Sequence, residues 1–333
     1  MYKLDYNHAP DFYQTEKNFN LRLRSGDEQS IEKLNTLNNF FEKEFNFKYA
    51  SYSDFSPYSI AEFLHKILPQ NAKLAYSSKL GFFCANAIDI LRLFGIECIE
   101  ILATKDGTYC KESISNAKHL GAQYFFGALV DEDIFYKNSL EHFDTDKTIL
   151  DISNAIKKCE IPKTLAQIFW GYKLGALKAS GVFLSDALAD FNLQNIDLFG
   201  YAHLKEAYKA YSIDKNCADL KTIFIKSLQN ILKESIYFYT QSSIDNAVCI
   251  GFKGIMARDF IRSLALDGIL VTNGELCSLG LSKPSNILQK LGISENEARN
   301  AISFSFNNLT IEDINFLASK ISFKYMQLKA ILG

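Results

Sequence analysis

The stretch "LDISNAIKKCEIPKTLAQIFWGYKLGALKASGVFLS", Leu150 to Ser185, decides how this chain folds. It opens on an apolar strand pattern closed by Asp151. A Gly/Ala-rich loop then carries Lys173, 22 positions beyond the aspartate, before a second apolar strand pattern, "GVFLS". Working outward, the same alternation holds upstream. "KLAYSS" (73–78), "IECIEIL" (96–102), "QYFFGALV" (123–130) and "TILDIS" (148–153) read as strands, and "CANAIDILRLFG" (84–95) and "SISNAKHLG" (113–121) as helices ended by glycine. Helix and strand in turn, with short connections, predict an α/β domain built on a mostly parallel sheet. Ligands in such sheets sit at the carboxyl ends of strands, which places Asp151 and Lys173 near a common crevice.

Downstream, "IDLFGYAHLKEAYKAYSI" and "DLKTIFIKSLQNILKESIYFY" are long helical patterns. A smaller α+β region follows: strands "NAVCIGF", "ILVTNG" and "AISFSF", helices "MARDFIRSLALDG" and "PSNILQKLG", and a terminal helix. Thr310 with Asp313 three residues on predicts the cap of that last helix. The expected division is a large α/β domain over 12–205 and a small α+β domain formed by 1–11 with 206–333.

Composition excludes several classes of function. A net charge of −2, from 36 basic and 38 acidic residues, gives no bulk electrostatic case for nucleic acid or an acidic membrane. No apolar run approaches the ~20 residues that span a bilayer. The opening "MYKLDYNHAPDFYQ" is polar and broken by Pro10, so no signal peptide is expected. Seven scattered cysteines without a C-x-x-C pair predict neither a zinc site nor a disulfide framework, and so no metal and a reducing, cytoplasmic setting.

Two places could carry chemistry. A lysine beside a buried carboxylate is what pyridoxal phosphate needs: the amine holds the aldehyde, and the acid keeps the pyridine nitrogen protonated so that the ring accepts electrons. From the residues alone this signal is weak, and a solvated loop lysine with a turn aspartate is the plainer reading. "TNGELCSLGLSKPSNIL" (272–288) sets Cys277 in a polar loop between glycines. That context suits a reactive thiol, or simply a small residue in a surface turn.

These segments together resemble the cysteine desulfurases, within the class V aminotransferase superfamily of pyridoxal-phosphate-dependent fold type I. "D-I-S-N" resembles the family's D-x-x-Q, with Asn154 in the glutamine's place beside the cofactor's phenol oxygen. "G-Y-K-L-G-A-L-K-A-S-G" is similar to A-H-K-x-x-G-P-K-G-x-G and keeps Lys173, Lys178 and Gly181. "YKLDYNHAP" resembles the family's Y-L-D-N-N-A-T start, keeping Leu4, Asp5, Asn7 and Ala9. "NGELCSLGLSKPSNILQKLGI" resembles S-G-S-A-C-x-x-G…P-S-H-V-L, with Gly274, Cys277, Gly280, Pro284, Ser285 and Leu288 in register. The matches run in order over nearly the whole chain.

The resemblance implies a large domain with a mostly parallel sheet and a smaller α+β domain bearing the Cys277 loop. It implies pyridoxal 5'-phosphate as cofactor, carried by Lys173 and held by Asp151 and Asn154. It implies L-cysteine or another small amino acid as substrate, Cys277 as the sulfur-accepting nucleophile, and alanine as coproduct. A sulfur-acceptor protein, a homodimer and sulfur mobilisation for iron–sulfur cluster assembly are expected on the same ground. The phosphate cradle, S-G-A/G-T before a helix, falls on "YASYSDFSPYSIAEF". Ser51 and Ser53 remain there, Tyr52 replaces glycine and Asp54 replaces threonine. The stacking histidine's register gives Gly81, with Phe82 as the substitute ring. Tyr172 stands before the lysine with a hydroxyl for the phosphate, and the asparagine near the ring falls on or beside Asp131. The arginine that holds the substrate carboxylate aligns with Ser303, which leaves Asn7 and Arg299 as the substrate-binding candidates. Two alternatives follow from these departures: a catalytically degenerate paralogue working as a binding or scaffold protein, or a related aminotransferase or lyase acting on another amino acid.

Overall fold

A computed structural model describes residues 2–4, 28–187, 197–240, 243–273 and 284–332. In chain order the elements are β1 (Tyr2–Lys3), α1 (Glu28–Phe45), β2 (Tyr49–Asp54), α2 (Pro57–Ile67), β3 (Lys73–Ser77), α3 (Phe82–Leu93), β4 (Glu97–Ile101), α4 (Lys111–His119), β5 (Tyr124–Ala128), β6 (Thr148–Asp151) and β7 (Ala166–Trp170). They continue as β8 (Ser180–Ser185), α5 (Leu198–Ala210), α6 (Cys217–Leu232), β9 (Ile236–Phe238), β10 (Ala247–Phe252), α7 (Ala257–Leu266), β11 (Ile269–Leu270), α8 (Asn286–Lys290), α9 (Glu295–Ala298), β12 (Ala301–Ser305) and α10 (Ile311–Leu332).

Seven strands make one mixed sheet in the order β2-β8-β7-β6-β5-β3-β4. The strands from β4 to β7 are parallel, β8 runs antiparallel to β7, and β2 antiparallel to β8. Both faces of this sheet are covered. Successive residues of a strand point to opposite faces, and the burial follows that rule. Leu150, Val182 and Leu184 join Phe41, Phe169 and Tyr201 in one core. Ile149 and Phe183 join Ile60, Leu64, Ile88 and Leu91 of α2 and α3 in another. Strands buried on both faces read as continuous apolar runs, which is why "TILD" and "GVFLS" stand out in the sequence.

A second sheet, β12-β10-β9, is antiparallel, and β1 pairs in parallel with β11. Its core joins Leu4 to Phe224 and Leu228 of α6, Phe260 of α7, and Ile314 and Leu317 of α10. Thr310 and Asp313 cap α10 reciprocally, Asp313 N donating to Thr310 Oγ1 at 3.1 Å and Thr310 N to Asp313 Oδ2 at 2.9 Å. One expected helix is shorter than its pattern. α6 stops at Leu232, and "IYF" becomes strand β9, pairing with β10. Lys233 there adopts a φ of 50°, a left-handed turn that no α-helix continues through.

Candidate active site

Because β3, β5, β6 and β7 are parallel, their carboxyl ends meet at one edge of the large sheet. The turns leaving those ends build a crevice. Gly81, Phe82, Phe83 and Cys84 come from the connection after β3 and the start of α3, and Ala128 and Glu132 from β5 and the turn after it. Asp151, Ser153 and Asn154 come from the end of β6, Trp170 and Lys173 from the end of β7, and Phe55 from the connection between β2 and α2. The empty space between these residues is about 340 Å³, open solvent at the mouth included.

Lys173 sits in a single 3₁₀ turn, Gly171–Leu174, which Gly175 closes at φ 84°. That left-handed angle is open to glycine at little cost, and the tight turn aims the lysine inward. Its side chain is only 2% exposed, and Nζ pairs with Glu132 Oε1 at 2.8 Å. The Trp170 ring lies 5.3 Å from the same nitrogen. Asp151 Oδ1 accepts hydrogen bonds from Ser153 N (2.9 Å) and Ser153 Oγ (2.5 Å). Its Oδ2 faces the Cys84 thiol at 3.5 Å. Burial raises the Asp151 carboxyl above its ordinary range against the pull of the Ser153 bonds, and nearby Glu132 adds to the rise. Burial, then Asp151, pushes the Cys84 thiol far up. Cys84 therefore lines the crevice as a neutral thiol rather than as a nucleophile.

The structure brings Lys173, Asp151, Asn154 and Phe82 together and leaves other sequence candidates elsewhere. Asp131 is wholly buried in a separate network. Lys79 Nζ donates to Asp131 Oδ2 (2.7 Å) and Asn138 Oδ1 (2.6 Å), with the rings of Tyr109 and Tyr136 about it. The neighbouring Glu132 is the residue that enters the crevice. Four residues in a row, "VDED", offer no periodicity from which to choose between them. Arg299 pairs with Glu295 at 2.8 Å, one turn back on α9, and does not line the crevice. Neither does Tyr172, whose ring leans on Trp170 at 5.0 Å. Asn7 and Cys277 lie outside the described residues.

The start of α2 shifts the register of the cradle motif. Strand β2 continues through Asp54, and Ser56 is the N-cap, its side chain accepting from Ser59 N. The four places before the helix are therefore Ser53, Asp54, Phe55 and Ser56. Aspartate takes the glycine's place, a serine hydroxyl takes the threonine's, and Ser51 drops back into the strand opposite Phe183. The residues thus fit the ring end of a pyridoxal group, with an amine, a buried acid, an amide and an aromatic face. They do not fit its phosphate, because the helix start faces the chain's own carboxylate.

The connection carrying Cys277 departs and returns close to this crevice. Ser303 N donates to Thr272 O at 2.7 Å, and Ser285 Oγ to Asp133 Oδ2 at 2.5 Å. Asp133 follows Glu132 directly, and burial, with Glu132 beside it, drives its carboxyl up to about 7.

The fold is that of the pyridoxal-phosphate-dependent transferases of type I, and solved NifS-like proteins and cysteine desulfurases share it. A NifS-like protein superposes with a TM-score of 0.74 at 14% identity, covering 97% of this chain and 98% of that one. A NifS-like protein from Rickettsia africae ESF-5 gives 0.72 at 12% identity over 98% and 99%. A cysteine desulfurase from Thermococcus onnurineus NA1 gives 0.71 at 12% over 90% and 85%. In sequence, 122 residues are 29% identical to the cysteine desulfurase IscS of Rickettsia massiliae (strain Mtu5), a match spanning 34% of this chain and 29% of that relative. No protein-family model matches the chain. No helix among the described residues is long and apolar enough to cross a membrane.

Proposed function

We propose that the protein is a cysteine desulfurase-like enzyme that takes sulfur from L-cysteine onto Cys277 and releases alanine. The observation that carries this reading is the meeting of Lys173 and Asp151, from two different strand ends, in one crevice with Asn154. Lys173 is the amine for a pyridoxal group's aldehyde, and Asp151 the acid for its ring nitrogen. A bound ring of that kind supplies an electron sink for cleaving the substrate's carbon–sulfur bond. The chain's own residues do the rest: Asn154 and Phe82 border the ring's place, and Cys277 accepts sulfur as a thiolate. The anchoring of Thr272 to Ser303 and of Ser285 to Asp133 supports a reach from Cys277 to the crevice. A solved structure of similar fold, SspA in complex with cysteine (TM-score 0.70, 13% identity, 92% of this chain and 99% of that one), supports cysteine as the substrate to try first. A homodimer in the cytoplasm and a protein that collects the sulfur belong to the same reading.

The test is sulfide and alanine release from L-cysteine with a thiol reductant and added aldehyde cofactor. Equal yields of the two products, abolished by Cys277→Ser and by Lys173→Ala, are expected. Release that Cys277→Ser leaves untouched overturns the cysteine's role. One observation favours a second reading, a fold-retaining binding protein. Among the described residues lining the crevice there is no guanidinium for a substrate carboxylate, since Arg299 is tied to Glu295. Absence of both products, together with no capture of any aldehyde at Lys173, selects that reading.

A further inference from the structure

Asp54, Ser56 and Ser59 stand outside the crevice lining, next to Phe55, which belongs to it. At the start of α2, Asp54 Oδ1 accepts from Ser59 Oγ at 2.5 Å and from Ser53 Oγ at 3.2 Å, while Ser56 Oγ lies 3.1 Å from Ser59 Oγ. Burial opposes charge on Asp54, yet bonds from Ser56, Ser59 and Ser53 outweigh it and hold the carboxyl below its usual range. The first turn of an 11-residue helix attracts anions through its N–H groups and dipole. Here an anion of the chain's own is fixed over that turn by three hydroxyls.

Phe55, between Asp54 and the cap Ser56, lines the crevice and stacks on Trp170 with ring centres 5.8 Å apart and planes at 10°. Phe83 meets both rings edge-on, at 6.0 Å and 5.1 Å. Trp170 Nε1 donates to Lys178 O at 2.5 Å, which pins the indole in this stack. Where a phosphate needs N–H and hydroxyl donors, the wall is therefore aromatic, with a carboxylate behind it. The charges lining the crevice point the same way. Glu132 and Asp151 are acids, Lys173 is the one cation among the described lining residues, and it is already paired with Glu132. A phosphate dianion would add to this negative charge, and no described lining residue supplies a further cation to offset it. The ring end makes no such objection.

We propose that the crevice takes an unphosphorylated aromatic aldehyde, pyridoxal being the probe of that class, and that Asp54 sets the preference against the phosphorylated form. This rests on the reading of Lys173 as the aldehyde-carrying amine. The preference is a property of α2 and not of the lysine, so the two claims separate in one experiment.

Full-length wild type, Asp54→Ser and Asp54→Asn are incubated with a concentration series of pyridoxal or of pyridoxal phosphate. Borohydride is then added. The Lys173 amine and the aldehyde join with loss of water, and hydride reduces the resulting C=N link to a stable secondary amine whose mass is read on the Lys173 peptide. Lys173→Ala serves as the blank. Intrinsic reactivities of the two aldehydes cancel when each variant is compared with wild type for the same aldehyde. The expected result is a half-saturating concentration of pyridoxal phosphate lowered about tenfold in Asp54→Ser, with that of pyridoxal changed less than about threefold. Inorganic phosphate should compete with the phosphorylated aldehyde in Asp54→Ser and not in wild type. Asp54→Asn keeps a hydrogen-bond acceptor over the helix start and should show the same direction, which guards against a folding defect in the serine variant. Equal half-saturation by pyridoxal phosphate in all three proteins, with Lys173 modified, overturns the role of Asp54 and leaves the proposed function standing. No modification of Lys173 by either aldehyde in any of them removes both.

Discussion

The ring end of the crevice and the helix start beside it are built by different means. The ring end is assembled from four parallel strands whose carboxyl ends the sheet delivers to one edge, so Asp151 and Lys173 are placed by topology. The neighbouring helix start depends on a few consecutive residues, Asp54 and Phe55 ahead of the cap Ser56. Residues delivered by long-range pairing keep their geometry while local sequence drifts. A site made by a short local motif has no such protection. The comparison teaches that a sheet edge can present an amine and an acid together whatever the adjoining helix start supplies.

The largest effect is reserved for Lys173. Lys173→Ala should abolish covalent capture of pyridoxal and any visible absorbance from it, read by peptide mass and spectrophotometry. Capture at another lysine would break the ring end's claim outright. Next in size is the support behind that end. Lys79 and Asp131 are both 0% exposed, and removing one partner of a buried pair strands the other charge. Lys79→Met should cost about 3–5 kcal/mol in urea denaturation. A loss under about 1 kcal/mol would mean that the pair does not anchor the turn presenting Glu132.

Asp151→Asn sharpens the comparison through pH. Because burial raises this carboxyl, the folded chain keeps its proton to higher pH than the unfolded chain does. Its contribution is therefore intact at low pH and is lost as pH climbs from the ordinary carboxylate range through the raised value. Asp151→Asn should melt like wild type at pH 4 and above it at pH 8, while holding pyridoxal more weakly. An equal difference in melting temperature at both pH values would contradict the burial argument. The smallest effect is local. Ser56→Ala should cost about 1 kcal/mol through loss of the α2 cap. By loosening the hydroxyl set around Asp54, it should also shift capture toward the phosphorylated aldehyde by less than Asp54→Ser does.

Much of this was legible in the sequence because both-face burial turns strands into apolar runs. Thr148–Asp151 and Ser180–Ser185 are such runs, and the loop between Trp170 and Ser180 was visible as the break between them. The end of β2 is not legible in "YASYSDF", which shows no signal where the strand stops. Only the Ser56–Pro57 helix start fixes it, proline being well suited to the first helical turn. Glu132 escaped notice for a related reason, as a row of acidic residues does not disclose which one turns inward. The strand in "SIYFY" was hidden inside a helical pattern by the long helix before it, and its pairing with β10 decides it.

The parallel pairing of Tyr2 with Ile269, with Leu4 wholly buried beside it, has a consequence for synthesis. β1 leaves the ribosome roughly 270 residues before its partner exists, a wait of about 15–50 s at ordinary translation speeds. The seven-stranded sheet can close in that interval, but the smaller sheet's neighbour must stay unzipped until β11 emerges. A bulky fusion placed just ahead of Tyr2 would therefore burden the closing of this strand pair and leave the seven-stranded sheet untouched.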